Sequence, residues 1–191
     1  MRRLSIVLAA LALSALAGPS ASEPPKDWFL AGSSPQDYTV GVDLSAAHSG
    51  AKSAFLASNS DTPSGFGTLM QTAQADTFKG KRLRFRAHVR SEGVKEWAGL
   101  WVRVDGSSPS PLAFDNMHDR PVKGDSNWQA YSIVLDVPPE ATAIAFGILL
   151  HGAGKVWLDS AAFEVVDKSV PTTGAPAPRV PPLPSNLDFE Q

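Results

Sequence analysis

One stretch of the sequence, Trp97 to Asp105, carries side chains suited to binding a sugar. Trp97, Trp101 and Arg103 alternate there with apolar residues. Indole rings stack on the C–H faces of pyranose sugars, while guanidinium and amide groups donate hydrogen bonds to hydroxyls. The predicted ligand-binding residues are Trp97, Trp101, Arg103, Gln71 from a neighbouring strand, and Asn116 and Arg120 from a polar loop. A competing interpretation buries Trp101 in the core and pairs Arg103 with Asp105.

Catalytic chemistry has a weaker basis in this sequence. Two of the residues Asp115, Asp119 and Asp125 could in principle supply the pair of carboxylates that glycoside hydrolysis requires. They share one loop, however, whose Asn, Pro and Gly content explains them equally well as turn residues. The four histidines are scattered, without a close pair at metal-ligand spacing. We therefore predict a protein that is not an enzyme.

Composition limits the class of protein and the kind of partner. The chain has 191 residues, of which 43% are hydrophobic and 19% charged, so it suits one globular domain with appendages. Its formal net charge of −2 and its lack of a basic tract argue against nucleic acid, since affinity for polyphosphates needs clustered Lys and Arg. It has no cysteine, so its fold cannot depend on disulfides.

The first 22 residues have the pattern of a secretory signal peptide. Arg2 and Arg3 precede an apolar run from Leu4 to Ala17, and small residues follow it. This run is too short to span a bilayer comfortably. We therefore predict an exported protein, periplasmic or extracellular, without a transmembrane segment in the mature chain.

The elements that must position these side chains are β-strands. In Lys81 to Arg90, four apolar residues alternate with Arg and His, so one face is buried and the other wet. No segment shows a convincing helical period. The pattern predicts an all-β, two-sheet antiparallel sandwich of the jelly-roll type. The predicted strands are 37–43, 53–57, 66–71, 81–90, 97–105, 128–137, 143–150 and 156–166.

Composition divides the chain into four parts. Residues 1–22 form the signal and residues 23–167 the sandwich domain. Six prolines between Lys168 and Ser185 predict an extended, largely unpaired linker. The last six residues, Asn186 to Gln191, are strand-like again.

Four short motifs resemble the galactose-binding-like jelly roll that many bacterial carbohydrate-binding modules share. They are Ala47 to Ala54, Lys79 to Lys81, Asp125 to Tyr131 and Val156 to Asp159. The resemblance extends over nearly all of Asp27 to Asp167. It implies the same sandwich fold and a non-catalytic binding role, while the ligand stays open.

The resemblance also implies a strand and a metal site. The family's opening Asn-x-x-Phe-Glu strand has its counterpart here at Asn186 to Glu190. This segment either folds back into the first-strand position, fills that position in a neighbouring molecule, or stays undocked. The family commonly holds a structural Ca²⁺, for which the matching ligands are Glu190, Asp159 and the carbonyls of Ser49 and Lys52. In the alternative interpretation Asp159 only caps a turn.

Two functions from different classes follow. In the first, the protein is an exported, non-catalytic module that binds a glycan or cell-surface polymer through the aromatic and Arg-bearing face of one sheet. In the second, it is a structural or interaction domain, whose C-terminal strand docks on a protein partner or on a second copy of the chain.

Overall fold

The computed structural model describes residues 23–174, which form an almost entirely β structure. Two short 3₁₀ turns, Pro35–Asp37 and Asp76–Phe78, interrupt the strands. No helix in this part of the chain is long and apolar enough to cross a bilayer. The strands of residues 23–174 are β1 (Phe29–Gly32), β2 (Tyr38–Asp43), β3 (Ser53–Ser58), β4 (Phe66–Gln74), β5 (Arg82–Asp105), β6 (Ala113–Asp115), β7 (Val122–Asp136), β8 (Ala143–His151) and β9 (Lys155–Val166).

The strands form two antiparallel layers that share β5. The first half of β5 lies between β7 and β9, which gives a first sheet of order β2-β3-β9-β5-β7. Its second half lies between β8 and β6, which gives a second sheet of order β1-β4-β8-β5-β6. The predicted antiparallel jelly-roll sandwich is confirmed.

The hydrophobic core lies between the two sheets, on the faces that the alternation predicts. Leu83 and Phe85 of the first sheet and Leu100 and Val102 of the second are all buried in it. Burying alternate apolar side chains of both layers is the dominant stabilising contribution in such a sandwich. The remaining residues of each strand face outward, and any ligand-binding face must be made from them.

Two predicted strands, 81–90 and 97–105, are a single 24-residue strand. Register shifts interrupt its pairing with β7 between Val89 and Ala98. Gly93 lies in this interval with a φ of 60°, a conformation that glycine adopts without steric cost. Such irregularities increase local bend and twist. They allow one strand to pass from the first sheet into the second.

The sequence pattern did not predict β1 or β6. With four and three residues, these strands are too short for an alternation to be recognised. Both belong to the second sheet, where they pair with β4 and β5. They extend the face that carries the candidate site.

The start of the predicted linker contacts the sandwich. Thr173 donates its backbone N–H to the carbonyl of Val134, and its hydroxyl oxygen accepts the N–H of Val134, both at 2.9 Å. Arg82 donates to the carbonyls of Lys168 and Val170. Residues 168–174 therefore run beside β5 and β7, where the proline content had predicted a largely unpaired backbone. The predicted signal, the rest of the linker and residues 186–191 lie outside the described residues.

Candidate functional site

The outward face of the second sheet carries most of the side chains that the sequence singled out. Cross-strand register places Trp97 opposite His151, which pairs in turn with Phe66. Four residues further along β5, Trp101 lies opposite Gly147. Each of these rows points away from the core, because the intervening row of Leu100, Ile148 and Leu69 points into it.

A groove of about 380 Å³ lies on this face. Its base is mainly apolar, and its polar lining residues are few, as is usual for ligand sites. Phe114 stands at one side with 43% of its surface exposed, which is unusual for a large hydrophobic residue. The lining residues are Ala31, Gly32, Phe66, Thr68, Met70, Trp101, Arg103, Phe114, Asn116 and Leu149.

Trp101 forms part of the groove base and is held firmly. Only 7% of its surface is exposed. Its indole Nε1 donates a 2.7 Å hydrogen bond to Oγ1 of Thr68, whose hydroxyl donates to the carbonyl of Ile148 at 2.8 Å. Trp101 thus packs in a small cluster with Ala145 and Leu149 on the outer face, separate from the main core. The base of the groove is therefore rigid and preorganised.

The polar groups of the groove come from β5 and from the end of β6. Arg103 pairs in register with Phe114, so a guanidinium and an aromatic ring are neighbours on the same face. Nε of Arg103 donates to both carboxylate oxygens of Asp105, at 2.9 and 3.1 Å. The predicted Arg103–Asp105 pair therefore exists, and Arg103 lines the groove as well. The side-chain oxygen of Asn116 accepts the N–H of His118 at 3.2 Å, which orients its amide.

Trp97 extends the aromatic surface beyond the end of the groove. It packs partly buried against the Trp101 cluster. The His151 ring stacks on it with centroids 6.4 Å apart, and the His118 ring meets it edge-on at 5.4 Å. Nδ1 of His151 lies 2.6 Å from a carboxylate oxygen of Glu96. The face thus presents aromatic side chains from Trp97 to Phe114.

Two predicted ligand-binding residues lie elsewhere. Gln71 pairs in register with the core residue Phe146, so it is on the core-facing side of β4 and does not line the groove. Arg120 contacts Asp115 instead, with its Nη2 2.5 Å from Oδ2. Burial tends to raise the pKa of Asp115, but hydrogen bonds from Arg120 and Thr173 outweigh it and hold that pKa below its usual value. Arg120 thereby fixes the loop that follows β6.

The three other tryptophans, Trp28, Trp128 and Trp157, pack against hydrophobic clusters. Trp28 contacts the main core, while Trp128 and Trp157 pack together on the outer face of the first sheet. Nε1 of Trp157 donates to Asp43 at 2.8 Å. Burial opposes ionisation of Asp43, but hydrogen bonds from Trp157 and Ser45 hold its pKa well below the usual range.

Three of the predicted calcium ligands, Asp159 and the carbonyls of Ser49 and Lys52, lie in the described residues, and the Asp159 carboxylate accepts hydrogen bonds from backbone N–H groups. Its Oδ2 accepts from His48 at 2.7 Å and from Ser49 at 3.0 Å, which holds the 48–52 turn against β9. A carboxylate that receives N–H donors is the arrangement of a capped turn, and these donors occupy an oxygen that Ca²⁺ would use as a ligand. Glu190 lies outside the described residues, so the calcium hypothesis stays a prediction.

A melting experiment tests the calcium hypothesis directly. An ion that binds only the folded state stabilises it by mass action, so EDTA should lower the melting temperature and added Ca²⁺ should restore it. Mg²⁺ at the same concentration is the control for ionic strength. Identical melting curves under all conditions would contradict a structural calcium ion.

Sequence reasoning missed the apolar groove residues Phe66, Met70 and Phe114. A signal for the first two was present, because both fall in the predicted strand 66–71 and share one face of it. Phe114 lies in the short strand β6, which alternation does not detect. Its pairing with Arg103 becomes visible only in the fold.

Several solved structures have a fold similar to that of this chain. The CBM22-1 xylan-binding domain from Paenibacillus barcinonensis Xyn10C superposes with a TM-score of 0.55 and 13% identity, over 77% of this chain and 91% of that one. The chain has the jelly-roll fold of carbohydrate-binding modules. A Stig cyclase, Fisc from Fischerella sp. TAU, shares the same fold, with a TM-score of 0.55, 14% identity, and 80% and 92% of the two chains covered. At these identities the likeness concerns the fold alone.

The sequence is also similar to that of a bacterial regulator. The "Uncharacterized HTH-type transcriptional regulator YbfP" of Bacillus subtilis (strain 168) is 44% identical over 168 residues, which are 87% of this jelly-roll chain. The match extends over 57% of the regulator, so the chain corresponds to little more than half of it. No family model matches the sequence.

Proposed function

We propose that this protein is an exported, non-catalytic module that binds a glycan or a related envelope polymer in the groove of the second sheet. The observation that carries the proposal is the convergence of Phe66, Trp101 and Phe114 with Arg103 and Asn116 on one open face. Export is supported by the signal-like pattern of residues 1–22.

The chemistry of the groove suits a carbohydrate. A sugar has apolar C–H faces and polar hydroxyls, so it needs aromatic surface and hydrogen-bonding groups side by side. The exposed ring of Phe114 offers the aromatic surface, and Arg103 and Asn116 offer donors next to it. Trp97 lies further along the same face, where it would contact a second sugar unit of a polymer.

The same set of side chains supports binding rather than hydrolysis. The residues lining the groove include no carboxylate, whereas glycoside hydrolysis requires two. Nearby Asp105 is paired with Arg103, and Asp115 is buried and paired with Arg120. A binding role also agrees with the fold, which this chain shares with a domain described as xylan-binding.

A second candidate function is that of an accessory domain of a larger assembly. It is favoured by the match to little more than half of the named regulator, because the same sandwich then occurs as one part of a longer protein. In this role the groove would bind no glycan, and the sandwich would contact another protein. A carbohydrate-binding assay separates the two candidates.

Replacing Phe114 by Ala tests the glycan groove. On a glycan array and in polysaccharide pull-downs we expect the wild type to bind, and Phe114→Ala to bind at least ~10-fold more weakly, as expected for an aromatic residue at the centre of a binding site. Phe114 is already 43% exposed, so its removal should leave the fold intact. Leu44→Ala is the matched control, because Leu44 is 78% exposed and follows β2 in the other sheet.

Two results would contradict the proposal. One is a wild type that binds no glycan on the array, which would favour the accessory role. The other is glycan binding that Phe114→Ala and Leu44→Ala leave equally unchanged, which would place the ligand on another surface.

A further inference from the structure

A second groove, of about 280 Å³, opens into one end of the hydrophobic core. Val42, Ala54 and Leu158 form one cross-strand row of the first sheet, on the side that faces the core. Trp28 covers part of the same opening and packs edge-on against Phe146, with ring centroids 5.7 Å apart. Val42, Ala54 and Trp28 are only half-buried. The core is therefore not closed by residues 23–174 at this end.

The rim of this core groove is basic. Lys26 and Lys52 line it, and both are exposed. Among the described residues, neither lysine takes part in a salt bridge. The carboxylate of Asp159 at the same rim is already engaged by backbone N–H groups. The apolar lining and the basic rim of the groove are thus complementary to a segment that carries both apolar and acidic side chains.

The residues Asn186 to Gln191 have this composition. Leu187 and Phe189 alternate with Asp188 and Glu190. In an extended conformation, the two apolar side chains point to one side and the two carboxylates to the other. We propose that this segment docks in the core groove of its own chain, with Leu187 and Phe189 against Val42, Ala54 and Leu158, and with its carboxylates near Lys26 and Lys52.

The distance from Gly174, the last described residue, to the core groove is short enough for such docking. Gly174 lies beside Leu135 of β7, and Leu135 is linked in register through Leu83 to Val165 of β9. The groove lies seven residues along the strand direction from this point, at Leu158, and three strands across the sheet from β7, at β3. With ~3.3 Å per residue and ~4.8 Å per strand, the diagonal distance from Gly174 to the groove is about 27 Å. The 12 residues from Gly174 to Asn186 span up to ~37 Å in polyproline geometry. The proline-rich segment is therefore long enough to deliver Asn186 to the groove of the same molecule.

This docking is independent of the proposed glycan site. The core groove is lined by the N-terminal segment and by residues of β2, β3 and β9, while the glycan groove lies on the outer face of the second sheet. Docking would close the core of the domain and would leave Phe114 and Arg103 exposed.

Disulfide trapping tests the proposal, because the chain contains no cysteine that would interfere. The full chain carries Lys52→Cys together with Asp188→Cys or, separately, Glu190→Cys. We expect rapid oxidation to a cross-linked monomer in at least one of these pairs, seen as a mobility shift on a non-reducing gel. Thr72→Cys with the same partners is the control, because Thr72 is exposed on β4 of the other sheet. Cross-linking at the same rate in the control pairs, or cross-linked dimers in place of monomers, would overturn docking within one chain.

A melting comparison provides an independent readout. Phe189→Ser should lower the melting temperature by roughly 5–10 °C, because it exposes the groove to water. Asp188→Ser, on the opposite side of the segment, should change it by less than about 2 °C. Glycan binding should be unchanged in both variants, so a failure here is distinct from a failure of the proposed function. Equal melting temperatures for wild type and Phe189→Ser would refute the docking.

Discussion

Replacing Gly147 by Ala should strongly destabilise the domain, because β8 and β4 leave no room for a side chain at this position. A Cβ at this position would lie 2.2 Å from the carbonyl oxygen of Leu69 and 2.9 Å from Cα of Met70. Both are backbone atoms of β4, so β4 and β8 would have to move apart along the ladder that joins them. We expect a loss of about 3 kcal/mol in the free energy of unfolding, at the upper end of overpacking effects. Thermal or urea denaturation measures it.

Gly124→Ala is the matched control for this substitution. A Cβ at Gly124 would meet no atom within 4 Å, and its cost of about 1 kcal/mol arises only from the φ of 65°. If both variants lose the same stability, close approach of β4 is not the reason that glycine occupies position 147. Because Gly147 lies between Met70 and Trp101, Gly147→Ala should also weaken glycan binding.

Arg120→Met should destabilise the domain by about 2 kcal/mol, through the buried carboxylate that it leaves behind. The Asp115 side chain is 5% exposed and the Arg120 side chain 32%. Without the guanidinium, the donors to Asp115 among residues 23–174 are the hydroxyl of Thr173 and the N–H of Met117. This estimate lies below the usual cost for a fully buried pair, because Arg120 is partly open to solvent. Chemical denaturation at neutral pH gives the difference.

A control variant and the pH dependence make this prediction specific. Asp119→Asn removes only the exposed partner of Arg120 and should change stability by less than about 0.5 kcal/mol. The pKa of Asp115 is lowered in the folded state, so the stability from its ionised form is present above the ordinary carboxyl pKa and is lost as pH falls through the folded-state pKa. The difference between wild type and Arg120→Met should therefore shrink in acid. A difference that is constant down to the acid range would exclude the ion pair as its cause.

Long alternating segments allowed the fold to be predicted from the sequence. Leu83 and Phe85, and later Leu100 and Val102, mark the buried face of β5 without knowledge of its neighbours. Its continuity was not predictable in the same way, because residues 91–96 include Gly93 and two Glu and interrupt the pattern. The strand continues there because β7 and β9 supply hydrogen-bonding partners from distant parts of the chain.

Apart from Asn116 of the polar loop, the candidate site was predictable where it lies on a single strand. Trp101 and Arg103 share a face by local alternation, and the structure places both at the groove. Gln71 was assigned to that face without a register, and its pairing with Phe146 puts it on the other side of β4. A shift of one residue reverses the direction of every side chain in a strand, so residues on different strands cannot be combined from sequence alone. Phe114 was missed because its strand, β6, is too short to show an alternation.

Because β5 belongs to both sheets, the stabilities of the two sheets are coupled. One uninterrupted backbone supports the core-facing rows of the first sheet with residues 82–94 and the base of the glycan groove with residues 97–105. Because β5 is hydrogen-bonded in both sheets, unfolding of one sheet should also disrupt the hydrogen bonds of the other. Damage near the Arg-rich half of this strand is transmitted to the half that forms the groove, and the two sheets are expected to lose their order in one concerted transition.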